Sequence, residues 1–149
     1  MARHAQLELQ HQLCFPLYAA SRAVTRAYAP LLEPFGLTYP QYLTLLALWS
    51  GEGTPRTVGE LGQQLRLDSG TLTPVLKRLE AAGLVTRQRD PADERRVVVT
   101  LTSEGDELQD RVAHVPAAVV ESLHLTAEDA VGLHALLHRV LDGIESSDS

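Results

Sequence analysis

The chain has 149 residues, 44% of them hydrophobic, and a formal net charge of −6 at pH 7. It is long enough for one globular domain with a core, too hydrophobic for a disordered chain, and too acidic for a uniformly basic nucleic-acid binder. No apolar run reaches the ~20 residues of a membrane span, MARHAQLELQHQ lacks the apolar stretch of a signal peptide, and the one cysteine, Cys14, cannot close an internal disulfide. A cytoplasmic protein with no membrane partner is expected.

In chain order, Leu13, Leu17, Ala20, Val24, Ala27 and Leu31 recur at three and four, which predicts a long amphipathic helix. Pro16 is harmless only in a first turn, so this helix should begin near Gln12 or Leu13, after a looser turn, and end at Pro34 and Gly36. Tyr39-Pro40 opens a second helix through Trp49, broken by GEGTP. Thr57-Val58-Gly59-Glu60 has capping-box spacing and starts a short helix to about Leu65. After a turn at Arg66-Leu67, Asp68 or Ser69 caps another, with Leu72, Val75, Leu76, Leu79 and Ala82 on its apolar face and Gly83 as its stop. The period then changes. LVTRQR (84–89) and RRVVVTLT (95–102) alternate and are β-branched, which predicts a two-stranded hairpin with DPADE as a long charged tip. Thr102 or Ser103 caps a helix running past Arg111 and bending towards Pro116. Thr126 caps a last one, striped by Leu133, Leu136, Leu137, Val140 and Leu141, and ESSDS should fray.

This order reads as a mainly α fold, a winged helix-turn-helix with a two-stranded β wing. Residues 57–83 are the helix-turn-helix and 84–102 the wing. A single domain is expected, with the DNA-binding region over 37–102 and long dimerisation helices over 1–36 and 103–149.

From Arg66 to Arg96 the chain has seven basic and five acidic residues, +2 against −8 elsewhere, which suggests one surface for an anion. The second helix of a helix-turn-helix enters the major groove. Here it offers Ser69, Gly70, Thr71 and Thr73 to base edges or phosphates, and Lys77 and Arg78 to the backbone. The wing carries Arg87, Arg89, Arg95 and Arg96, and an arginine near a hairpin tip can enter a minor groove. Asp93 and Glu94 flank Arg95 and could instead pair with it; they are read as orienting the wing. Singly each charge fits a solvated surface; together they favour double-stranded DNA.

LDSGTLTPVLKRLEAAGLVTRQRDPADERRVVVTLTSEG (67–105) resembles the recognition helix and wing of the MarR family. LCFPLYAASR (13–22) and LTYPQYLTLLALW (37–49) resemble its organic hydroperoxide resistance regulators, and the resemblance spans nearly the whole chain. It implies a homodimeric repressor on a pseudo-palindromic operator, released when an organic hydroperoxide oxidises a thiol. It puts Cys14 at the sensing cysteine, Tyr28 and Tyr39 at two tyrosines that hydrogen-bond that cysteine across the dimer, and Tyr18 near the sensor, where Phe15 also lies. It puts Arg95 at the wing arginine of the minor groove. One branch has a second, resolving cysteine. With none here, the single-cysteine branch is implied, in which a low-molecular-weight thiol completes the switch. Pro16 departs from the pattern, which has a small helix former there.

On the residues alone, Cys14 is either a small buried hydrophobe or a thiol in a first helical turn, where the helix dipole favours an anion. Its apolar neighbours suit an organic peroxide. Cys14 and Tyr28 are fourteen residues apart on one helix, ~21 Å at 1.5 Å per residue. Two helices running antiparallel about a two-fold axis would bring them together. Two rival readings stay open. One is a MarR-type regulator released by a small aromatic ligand, with Cys14 incidental. The other is a thiol peroxidase, disfavoured by the wing and the missing resolving cysteine; no enzyme activity and no cofactor are expected. His134 and His138 have the spacing of a metal pair, but no acidic or Cys partner is clearly placed beside them. They are read as surface or dimer-face histidines, with no metal expected.

Overall fold

A computed structural model describes residues 3–148. The chain divides into two compact units, residues 1–115 and 116–149. In the first, short 3-10 turns at Ala5–Leu7 and Leu9–His11 precede helix α1, Cys14–Leu32. Leu13 is the N-cap, so Pro16 falls at the third helical position, where a backbone N–H has no partner within the helix. Pro30 lies inside the last turns, and α1 passes into a 3-10 turn, Glu33–Phe35, closed by Gly36 at φ 66°. Helix α2, Tyr39–Trp49, starts from a capping box: Thr38 accepts from the Gln41 N–H, and the Gln41 side chain accepts from the Thr38 N–H.

Helices α3 (Val58–Leu65) and α4 (Ser69–Ala81) form the helix-turn-helix, capped by Thr57 and Asp68. In the turn, Arg66 is left-handed at φ 57° and the Leu67 N–H donates to the Gly62 carbonyl at 2.9 Å. A Cβ on Gly62 would come within 2.7 Å of the Leu67 carbonyl oxygen, so glycine lets the turn close. Only half of the expected box at Thr57 forms. Thr57 accepts from the Glu60 N–H, but the Glu60 carboxylate lies 3.6 Å from Arg96.

The wing has three strands rather than two. Strands β1 (Arg56–Thr57), β2 (Val85–Asp90) and β3 (Asp93–Leu101) form an antiparallel sheet in the order β1-β3-β2. β1 is two residues long, too short for alternation to reveal it. The expected long DPADE tip is also shorter: Asp90 pairs with Asp93, leaving Pro91 and Ala92 as the turn, after an irregularity between Arg89 and Asp90. Charged residues continue a strand that faces solvent on both sides as readily as they form a loop.

The core surrounds α2, whose Tyr42, Leu45 and Leu48 are fully buried, as are Leu61 of α3, Leu72, Leu76 and Leu79 of α4, and Val85 and Val99 of the sheet. Helix α5, Ser103–Val112, is capped by Thr102. Trp49 Nε1 donates to the Gly105 carbonyl at 3.0 Å, and the Thr102 hydroxyl donates to the Gly83 carbonyl at 2.6 Å. These two bonds lock α2 and the turn before β2 onto the start of α5.

The bent helix expected after Thr102 is two helices. α5 ends before Ala113, and α6, Val115–Ser122, restarts with Pro116 in its first turn, where the missing N–H does no harm. In the second unit, α7 runs Ala127–Ser147 from a capping box of Thr126 and Asp129. Of the ESSDS expected to fray, residues 145–147 stay helical and Ser149 lies outside the described residues: the hydroxyls of Ser146 and Ser147 donate to the carbonyls of Asp142 and Gly143 in the last turns. Both long helices are amphipathic but largely uncovered. Leu13, the N-cap of α1, is 89% exposed, Leu17 within it is exposed, and Leu133, Leu136, Val140 and Leu141 of the expected α7 stripe are all exposed. Among the described residues no helix is long and apolar enough to cross a membrane.

Candidate redox sensor and nucleic-acid interface

Asp68 fixes the start of α4: its carboxylate accepts from the Thr71 N–H at 2.7 Å. That bond holds the carboxyl below its usual range. The cap is therefore intact at neutral pH and is lost only as the pH falls through the lowered value. Ser69, Gly70, Thr71, Lys77 and Arg78 are exposed, and Thr73 is half-buried. A cleft of about 470 Å³ opens beside them, bounded by Thr57, Val58 and Gly59 at the start of α3, Ser69 and Thr73 of α4, and Arg87, Arg95 and Arg96 of the wing.

The four wing arginines divide by their partners. Arg87 is half-buried; its guanidinium and then its backbone N–H bond Glu80 of α4, at 3.1 and 2.9 Å, and hold that carboxyl low. Its Nε is buried without an acceptor among the described residues. Arg96 lies between Glu60 and Asp90, at 3.6 and 4.0 Å. Arg89 donates to the Glu94 backbone carbonyl at 3.1 Å. Arg95 is 91% exposed, with one Asp93 oxygen accepting from both its Nε and its backbone N–H at 3.1 Å. The Arg95 side chain, then its N–H, holds the Asp93 carboxyl low. Asp93 therefore aims Arg95, whereas Glu94 acts on Arg89 through its backbone.

Cys14 is the first residue of α1 and is exposed, so it is no part of this chain's own core. Phe15 and Tyr18 beside it are exposed too, and the Arg22 guanidinium lies 5.7 Å from the centre of the Tyr18 ring. Tyr28 and Tyr39 are brought together at the far end of α1, their rings stacked at 4.2 Å and 19°. Tyr42 packs on Tyr28 at 5.7 Å. Burial, then the neighbouring Tyr28, pushes the Tyr39 phenol up to about 12, so its hydroxyl remains a donor at physiological pH. Within one chain neither tyrosine reaches Cys14, which lies about 21 Å from Tyr28 along the helix.

Sequence reasoning missed Tyr42, Glu80 and the Val58-Gly59 floor of the cleft. Tyr42 was visible as a residue one helical turn after Tyr39. Glu80 and the floor were not, because they become relevant only when the wing folds back over α3 and α4.

Residues 26–112 match the family model for the transcriptional regulator SarA/Rot. The organic hydroperoxide resistance transcriptional regulator of Bacillus subtilis is 44% identical over 142 residues, 95% of each chain. Reduced AbfR bound to DNA, from Staphylococcus epidermidis, is a solved structure 40% identical, with a TM-score of 0.75, covering 93% of this chain and 96% of that one. AbsC, a MarR family transcriptional regulator from Streptomyces coelicolor, is 27% identical with a TM-score of 0.78 over 94% of this chain and 97% of its own.

Proposed function

The chain belongs to the MarR family of winged helix-turn-helix transcriptional regulators, among its organic hydroperoxide resistance members, and from that premise we propose that it is a repressor whose input is Cys14. The carrying observation is the separation of parts along α1. An exposed thiol stands at one end, and a stacked pair of tyrosines at the other. Two copies running antiparallel about a two-fold axis set each Cys14 against the partner subunit's Tyr28 and Tyr39. The uncovered apolar faces of α1 and α7 are what such a homodimer would bury.

In the proposed reaction the Cys14 thiolate attacks one peroxide oxygen of an organic hydroperoxide. The O–O bond breaks, the alkoxide leaves and is protonated to an alcohol, and sulfur becomes a sulfenic acid. With no second cysteine in the chain, an external low-molecular-weight thiol then condenses with it, forming the S–S bond and expelling water. A reducing cytoplasm supplies that thiol. A relative named for hydroperoxide resistance does not favour release by a small aromatic ligand with Cys14 incidental.

The output is double-stranded DNA, with α4 in the major groove and Arg95 in the minor groove. The dimer reads a pseudo-palindrome whose half-site centres are ~34–36 Å apart. The test is operator binding by reduced protein before and after cumene hydroperoxide, with intact-mass readout. Release should coincide with the gain of one oxygen, or of one added thiol, at Cys14.

The DNA surface makes its own prediction. Arg95→Ala should weaken operator binding by about 1–3 kcal/mol and relax specificity, whereas Lys77→Ala should weaken all sequences alike and reduce the salt slope by about 1. Fluorescence anisotropy against operator and scrambled DNA at several salt concentrations separates the two. Unchanged operator affinity in Arg95→Ala at matched salt would remove Arg95 from the interface.

A further inference from the structure

Helix α7 carries His134 and His138 one turn apart, both exposed, with ring centres 4.2 Å apart and planes inclined at 38°. The Nδ1 of His138 lies 2.9 Å from the His134 backbone carbonyl oxygen. A carbonyl only accepts, so this nitrogen carries the proton, and the Nε2 of the neutral ring keeps a free lone pair. Metal-bound histidines are oriented in the same way, one ring N–H donating to a backbone carbonyl while the other nitrogen takes the ion. The i,i+4 spacing is the one by which two histidines of a helix share an ion. The helix under them is held at both ends, by the Thr126–Asp129 box and by the hydroxyls of Ser146 and Ser147. Between residues 127 and 149 there are five acidic residues and one basic, a local charge of −4 that favours a cation.

We propose that His134 and His138 form a two-imidazole site for an exchangeable late first-row divalent ion, preferring Cu²⁺ to Ni²⁺ and Zn²⁺. Among the described residues no group of three or more His, Cys, Asp or Glu side chains could hold a metal, so water fills the remaining positions. A structural zinc site needs four protein ligands; this one is open, and the fold does not depend on it. The site lies wholly within the second unit and is separate from the thiol chemistry. What the sequence offered was spacing alone; the fixed tautomer and the ring contact come from the structure.

The test is calorimetric titration of NiCl₂ into dimeric Cys14→Ser protein, in which no thiol competes. One Ni²⁺ should bind per chain, and affinity should fall roughly tenfold or more in His134→Ala and in His138→Ala alike. His124→Ala, in the turn before α7, should bind as its parent does. Both substitutions are at exposed positions, and unchanged far-ultraviolet circular dichroism confirms that the helix persists. Nickel binding that survives either substitution, or its absence in the parent protein, overturns the site.

Discussion

Cys14→Ser protein should bind its operator as tightly as wild type and remain bound after cumene or tert-butyl hydroperoxide at doses that release wild type completely. Serine keeps the size of the side chain and its place at the start of α1, so the reduced dimer is undisturbed. A hydroxyl does not take oxygen from a peroxide; a thiolate does. Oxidation replaces a small anion by a bulkier group, and a mixed disulfide adds far more volume. A close-packed interface cannot absorb that without rearranging. Tyr28→Phe and Tyr39→Phe should bind DNA normally but release it more slowly, because each removes a hydroxyl donor proposed to face the thiolate. Release titrations of wild type against Cys14→Ser decide the matter. If the two curves coincide, Cys14 is not the input, and the ligand-released regulator becomes the better reading.

Gly105→Ala should destabilise the protein by about 3 kcal/mol, the upper end of the usual cost of overpacking. The new Cβ would be forced onto the Leu84 carbonyl oxygen, which accepts from the Thr102 N–H at 3.0 Å and so cannot swing away. Moving α5 aside instead would cost the Trp49 bond to the Gly105 carbonyl, roughly another 1 kcal/mol. Gly132→Ala in α7 is the opposite case. Its Cβ would meet nothing within 4 Å, and the substitution should add about 0.5–1 kcal/mol through helix propensity. Urea unfolding of both variants measures the pair. A Gly105→Ala protein as stable as wild type would mean that α5 does not seat against Leu84.

These two glycines also mark what the sequence could and could not reveal. Both sit in helical patterns, and nothing in their neighbours separates a glycine pressed against another segment from one in open solvent. Elements with strong local signals were legible: the Thr57 and Thr126 caps, the caps at Asp68 and Thr102 to within one residue, the 3.6-residue stripe of α4, and the alternation of the wing. β1 was not, because two residues carry no period and its partner lies some forty residues away. Residue types at the site were legible as well, but not their division of labour. Arg87 and Arg95 look alike in sequence. One is spent on Glu80 and the other extends into solvent, and only the return of the wing over α4 separates them. The exposure of the α1 and α7 stripes in one chain agrees with the expectation that they are dimerisation helices; periodicity says that a face will be covered, and the resemblance pointed to a second copy as the cover.

The bracing of the wing has a mechanical consequence. β1 leads directly into α3, pairs with β3, and leaves Arg96 against Glu60, while Arg87 clamps the wing to α4. Recognition helix and wing are therefore one jaw of a caliper rather than two fingers. The proposed dimer would hold two such jaws, and any change in their gap would displace the proposed major-groove and minor-groove contacts of a half-site together. Losses that add in free energy multiply in affinity. With about 1–3 kcal/mol at each contact, a modest change of gap turns a bound repressor into a free one with no part of the jaw unfolding.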